Sequence, residues 1–138
     1  MNRIIIGIDP GVKTGLAAWV PAERRFQSIE TMSIVKAMDW IMLAKRDGLQ
    51  VEVRFEDARL RTWFGKAGRE QLQGAGSIKR DCSIWSEFCE YHDIPSQAVK
   101  PFKGGTKWSA DYFKRLTGWK GRTSEHSRDA ACLVFGAH

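Results

Sequence analysis

Arg3-Ile4-Ile5-Ile6-Gly7-Ile8-Asp9, followed at once by Pro10-Gly11, is the stretch that decides the fold. A short β-branched run without polar interruption reads as a central strand buried on both faces. Asp9-Pro10-Gly11 then breaks the strand with turn chemistry. Working outward, Thr14 to Val20 reads as a second strand, Pro21-Ala22 as a turn, and Arg25 to Thr31 as a third strand. Together they make an antiparallel meander. Ser33 is the expected N-cap of a helix with Ile34, Met38, Ile41, Met42 and Lys45 at helical spacing, and Asp47-Gly48 is its stop. Val51 to Phe55 is a short strand ending at Glu56.

The second half reads as mainly helical. Residues 57–76 hold Gly65, Gly68, Gly74 and Gly76 without a clear period, which predicts a loop. Ser77 is the expected cap of a helix reaching about His92. Its apolar residues Ile78, Cys82, Ile84, Trp85, Phe88, Cys89 and Tyr91 cover more than one stripe. Such a helix is deeply buried or shared with a second subunit. Ser96 to Lys100 reads as a short strand and Thr106 to Thr117 as a helix stopped by Gly118. A last helix from about Ser124 holds Ala130 to Phe135. The expectation is one α/β domain over residues 1–138, with a mixed five-stranded sheet flanked by helices.

Length and composition narrow the function. The chain has 138 residues, enough for one core and too few for two lobes with a cleft between them. No apolar run approaches a membrane span, and Met1-Asn2-Arg3 meets Gly7 and Asp9 too soon for a signal peptide. A cytoplasmic protein with no membrane partner is expected. Three cysteines without CxxC spacing argue against a disulfide framework and a zinc knuckle. Net charge is +6, and it is unevenly placed. Lys100, Lys103, Lys107, Lys114, Arg115, Lys120 and Arg122 oppose Asp111 alone between Val99 and Arg122. Arg59, Arg61, Lys66, Arg69, Lys79 and Arg80 oppose only Asp57 and Glu70. A solvated basic surface accounts for such clusters, but Trp63-Phe64, Trp108 and Trp119 lie inside them. Basic groups that hold phosphates beside aromatics that stack on bases or wedge them apart favour a nucleic-acid partner.

Acidic residues sit where apolar runs end. If the strands ending at Asp9 and Glu56 are parallel neighbours, both carboxylates leave the same edge of the sheet, where open α/β sheets place ligands. Two like charges at such a rim repel unless a cation lies between them, and hard oxygen donors suit Mg²⁺ or Mn²⁺. Taken singly, Asp9 is also what a turn needs and Glu56 what leaves a sheet. His126 and Asp129, three apart, share a face of the last helix, and so do Glu125 and Asp129. Acids in a first helical turn also offset the macrodipole.

These residues resemble a known family. Ile4-Ile5-Ile6-Gly7-Ile8-Asp9-Pro10-Gly11 with Thr14-Gly15 is similar to the first strand of the RuvC-type Holliday junction resolvases, within the RNase H-like superfamily. Phe55-Glu56 resembles that family's second acidic strand end, and His126-Ser127-Arg128-Asp129-Ala130 its closing motif. Gly74-Ala75-Gly76 before a long helix, Val99-Lys100, and the Lys103–Lys107 stretch resemble its middle section, in order. The family often carries a carboxylate where His126 stands, which leaves Glu125 as the alternative ligand. The short chain fits a compact phage or mobile-element member.

The resemblance implies an RNase H-like fold and a crossover junction endodeoxyribonuclease. Asp9, Glu56, His126 and Asp129 would hold two divalent cations, Mg²⁺ or Mn²⁺, and hydrolysis would leave a 5′-phosphate and a 3′-hydroxyl. Lys107, expected at a helix start near the site, would offset charge at the scissile phosphate. Arg59, Arg61, Trp63, Phe64, Lys66, Lys79, Arg80, Lys100, Lys103 and Lys107 would contact branched DNA, with Phe64 or Trp63 as a wedge. A homodimer through the 77–92 helix would pair the two nicks. The alternatives are the same fold acting on RNA–DNA hybrids or other branched DNA, and a non-catalytic junction-binding protein. Asp-Pro-Gly-x-x-Thr-Gly also resembles the first phosphate loop of actin-like ATPases, but their second loop and lobe need a longer chain. Gly11-Val12-Lys13-Thr14 lacks the spacing of a P-loop.

Overall fold

The computed structural model describes residues 2–61, 69–101 and 107–138, with backbone alone over 69–75. Its elements are β1 (Arg3–Asp9), β2 (Thr14–Val20), β3 (Arg25–Met32), α1 (Ile34–Arg46), β4 (Gln50–Glu56), a 3-10 turn (Ala58–Leu60), α2 (Arg69–Tyr91), β5 (Ser96–Val99), α3 (Ala110–Thr117) and α4 (Glu125–Cys132). The sheet order is β3-β2-β1-β4-β5. The first three strands form the antiparallel meander, while β4 pairs parallel to β1 and β5 parallel to β4. The protein is thus α/β with a mixed five-stranded sheet.

Strand β1 is central because its residues suit both faces. Ile4, Ile6 and Ile8 point to one side, where they meet Ile41 of α1 and Trp85 and Cys89 of α2. Ile5 points to the other, where it packs with Trp19, Phe26, Phe113 of α3, and Ala130, Ala131 and Val134. Helices therefore cover the sheet on both sides, as an apolar run without alternation requires. Ser33 caps α1 by accepting from the Lys36 N–H, and Gly48 follows the helix at φ 90°.

Three expected boundaries are corrected. α2 starts at Arg69 rather than Ser77, so Gly74 and Gly76 lie inside a helix and part of the predicted 57–76 loop is regular. Each helical glycine costs about 1 kcal/mol, but the helix-forming residues Arg69-Glu70-Gln71-Leu72-Gln73 precede them. α3 starts at Ala110 rather than Thr106, because the Ser109 hydroxyl accepts from the Tyr112 N–H and ends the helix there. α4 stops at Cys132, and Leu133 to Phe135 continue as turn.

Of a helix expected to be deeply buried or shared with a second subunit, the largest apolar residues go to the chain's own core. Trp85 and Cys89 are fully buried in the chain's own core, and Phe88 packs against it. Among the described side chains of this helix, Ile78, Ile84 and Tyr91 are the exposed large apolar ones. Among the described residues no helix is long and apolar enough to cross a membrane.

Candidate metal and phosphate cleft

Register places the first two acids. Ile8 pairs with Phe55 across the parallel β1–β4 ladder, so Asp9 and Glu56 leave the sheet side by side. Paired residues of neighbouring strands point to the same face. For Asp9 that is the face of Ile5 and Gly7, the one α4 crosses. Thr14 steadies the turn beyond Asp9, its hydroxyl donating to the Gly11 carbonyl at 2.7 Å.

Helix α4 supplies the rest. A capping box joins Ser124 and Ser127: the Ser127 N–H donates to the Ser124 hydroxyl oxygen at 3.0 Å, and the Ser124 N–H to the Ser127 hydroxyl oxygen at 2.9 Å. That start turns His126 to Asp9, with Nδ1 3.0 Å from Oδ2. An ionised carboxylate only accepts, so Nδ1 donates, and Nε2 of a neutral imidazole keeps its lone pair.

Two strand glycines, Gly7 and Gly15, make this approach possible. A Cβ on Gly15 would stand 2.0 Å from the His126 carbonyl oxygen, and one on Gly7 would stand 2.1 Å from that of Ala130. Backbone of α4 lies directly on backbone of β2 and β1. Glycine inside a strand is the sequence signal for such an approach.

Asp9, Glu56, His126 and Asp129 line one cleft of ≈ 370 Å³, together with Lys107 and Arg61. Burial raises the carboxyl of Asp9; the His126 hydrogen bond opposes this and the charge of Asp129 adds to it. Burial also raises Glu56, and the charges of Asp9 and Asp129 push it further. Negative charge is therefore concentrated here against its own repulsion. Lys107 answers it: Nζ lies 2.6 Å from Glu125 Oε1 and 3.3 Å from Asp129 Oδ2. Its ammonium is pushed up to about 12, first by the Glu125 hydrogen bond. Lys107 does not begin a helix; it precedes the Ser109 cap in chain without regular secondary structure.

Neither family models nor curated proteins match the chain in sequence. What bears on function is therefore the cleft itself. Among the described residues no group of three His, Cys, Asp or Glu side chains is set to hold a metal ion as it stands. His126 is turned to Asp9, and the Lys107 ammonium sits on Asp129. The donor chemistry nevertheless fits a hard divalent cation: three carboxylates and an imidazole share one cleft, two of the carboxyls raised by burial and mutual repulsion. Glu125 lines up with Lys107 instead, and its side chain is 60% exposed.

The basic residues divide. Arg59 is committed to the protein: Nε and Nη2 donate to Asp57 Oδ1 and Oδ2 at 2.9 and 2.7 Å, and Nη1 to the Ser83 hydroxyl at 3.2 Å. Arg61 reaches the cleft rim. Arg80 and Lys100 are exposed, and Lys79 is half-buried. Trp63, Phe64, Lys66 and Lys103 lie outside the described residues.

Proposed function

We propose that this protein is a metal-dependent endonuclease of RNase H-like type that resolves four-way DNA junctions. The observation that carries the reading is the meeting of Asp9, Glu56, His126 and Asp129, from β1, β4 and α4, in one cleft beside Lys107. An antiparallel meander continued by parallel strands, in the order β3-β2-β1-β4-β5, supports the resemblance to RuvC-type resolvases. A net charge of +6 supports a polyanionic substrate.

Asp9, Glu56, His126 and Asp129 would hold Mg²⁺ or Mn²⁺, two ions per site. When bound, the ions would supply an activated water and charge neutralisation at the leaving 3′-oxygen. The chain's own groups do the remaining work. The sheet edge fixes Asp9 and Glu56, and the hydrogen bond to His126 limits rotation of the Asp9 carboxylate. Lys107 presents a permanent positive charge at the cleft mouth, able to leave Glu125 for an entering phosphate. Arg61, Arg80 and Lys100 offer further phosphate contacts, which set register rather than sequence preference.

A junction has approximate two-fold symmetry, and two symmetric nicks need two sites. A C2 homodimer supplies them, with the exposed Ile78, Ile84 and Tyr91 of α2 as the candidate contact. The test is cleavage of a synthetic four-way junction beside linear duplex, flap and RNA–DNA hybrid, with Mg²⁺, with Mn²⁺ and with neither. Paired nicks confined to the junction and to metal are expected. Preference for the hybrid, binding without cleavage, or nucleotide hydrolysis would each overturn the reading.

A further inference from the structure

Helix α4 carries a charged residue between His126 and Asp129 that the cleft chemistry leaves unused. The side chain of Arg128 is partly buried, and its Nε donates to the Trp108 carbonyl at 3.0 Å. Its Nη1 donates to the Thr123 carbonyl at 3.0 Å and to the Thr123 hydroxyl at 2.9 Å. One planar guanidinium thus ties α4 to two chain segments, a geometry that a lysine ammonium does not reproduce. Trp108 is the residue after Lys107, and both precede the Ser109 cap, so no helix fixes their backbone.

Lys107 needs such an anchor. Its side chain is 62% exposed, and a long exposed side chain gives up rotamer freedom to hold one geometry. Its ammonium nevertheless meets two carboxylates of α4, and Arg128 grips the neighbouring peptide from that same helix.

We propose that Arg128 is a positioning residue: through the Trp108 carbonyl it fixes the backbone from which Lys107 holds its ammonium against Glu125 and Asp129. The consequence rests on the nuclease reading. Held there, Lys107 stands where a divalent cation would draw on Asp129, so the two would compete for that carboxylate, and a bound cation would free the ammonium for a phosphate. The contact itself exists without metal or DNA and can be tested without either.

The experiment is NMR of the full, metal-free chain with ¹⁵N-labelled lysine, the Lys107 ammonium signal being assigned by its loss in Lys107→Met. A distinct, slowly exchanging signal is expected in the native protein. It should vanish in Arg128→Gln while α4 amide signals stay in place, and Arg128→Lys should not restore it. An unchanged Lys107 signal in Arg128→Gln overturns the proposal. Should Arg128→Gln disturb α4 itself, the ammonium signal is read in Arg128→Lys, which keeps the charge and the stem; where α4 stays in place, a double-mutant cycle in Mn²⁺ affinity gives a second readout. Lys107→Met is expected to tighten Mn²⁺ binding about fivefold, and Arg128→Gln to tighten it in the native background only. Equal Arg128 effects with and without Lys107 overturn the proposal. Absence of Mn²⁺ binding in every variant counts against the nuclease reading, and the ammonium signal then decides the role of Arg128 alone.

Discussion

His126 Nδ1 and Asp9 Oδ2 meet at 3.0 Å although they lie 117 positions apart in the chain. This contact brings the start of the last helix to the end of the first strand, which is what a rim built from both requires. It also makes Asp9 the most informative single substitution. Asp9→Asn keeps the size and can still accept from Nδ1, but it removes one charge from the cleft. Mn²⁺ binding by calorimetry should fail, and nicking should fall at least about a hundredfold, with junction affinity in metal-free buffer retained. Nicking at the native rate would remove Asp9 from the mechanism.

The cleft carboxylates should cost the metal-free fold stability at neutral pH. Glu56 has its carboxyl raised above its ordinary 4.5 by burial, then by Asp9 and Asp129. A group raised in the folded state binds its proton more tightly there than in the unfolded chain. Its contribution is therefore favourable below the ordinary value and is lost as pH rises through the folded one. Glu56→Gln should raise the neutral-pH melting temperature of the metal-free protein by about 2–4 °C. The gain should shrink toward zero as the pH is lowered below the ordinary value. Saturating Mn²⁺ should reverse the order, because only the native protein gains binding energy at that site.

Arg59 should behave as a structural residue. Asp57 is 1% exposed, and Arg59 is the only cation to which a described ion pair ties it. Removing the guanidinium strands a buried carboxylate. Arg59→Ala should cost about 1–3 kcal/mol in urea unfolding, less than a fully buried pair because Arg59 is 36% exposed. The hydrogen bond from Arg59 holds the Asp57 carboxyl below its ordinary 3.8, so this stabilisation is present above that value and lost as pH falls through the folded one. Native and variant stabilities should converge in acid. A loss of DNA affinity with unchanged stability would give Arg59 to the nucleic acid instead.

How much of this was readable beforehand depends on how local each cause is. The β1 run declares its two buried faces, and Asp9 and Glu56 mark strand ends, because apolar continuity and its interruption are written in neighbouring residues. Ser33 and Ser124 cap α1 and α4 for the same reason. The start of α2 is not local: Gly74 and Gly76 weaken the helix in isolation, yet the chain is helical through them. Thr106 to Thr117 reads as one helix in sequence, but Ser109 makes the cap, which leaves Lys107 ahead of the helix. Its pairing with Glu125 and Asp129, like that of Arg128 with Trp108, exists only once α4 has docked.

The glycines beneath α4 give the last test, because they connect packing directly to the site. Gly15 pairs with Asp9 in the β1–β2 ladder, and above it stands the carbonyl of His126. A methyl group on Gly15 would lie 2.0 Å from that oxygen and 2.5 Å from its carbon, both backbone atoms, so no side-chain rotation relieves the clash. Gly15 is held between β1 and β3 by ladders on both sides, so the first turn of α4 must lift. That turn carries Glu125, His126 and the Ser124–Ser127 cap, with Asp129 one step beyond. Gly15→Ala should therefore lose the His126–Asp9 contact and cost about 1–3 kcal/mol as overpacking does. Asp9 would remain in place on β1 while its partners on α4 moved away. The expected outcome is a folded protein whose Mn²⁺ affinity falls along with its melting temperature, and whose His126 ring signal in NMR no longer responds to Asp9→Asn. A Gly15→Ala protein with native stability and an intact His126–Asp9 coupling would show that α4 does not rest on β2 as closely as the backbone distances require.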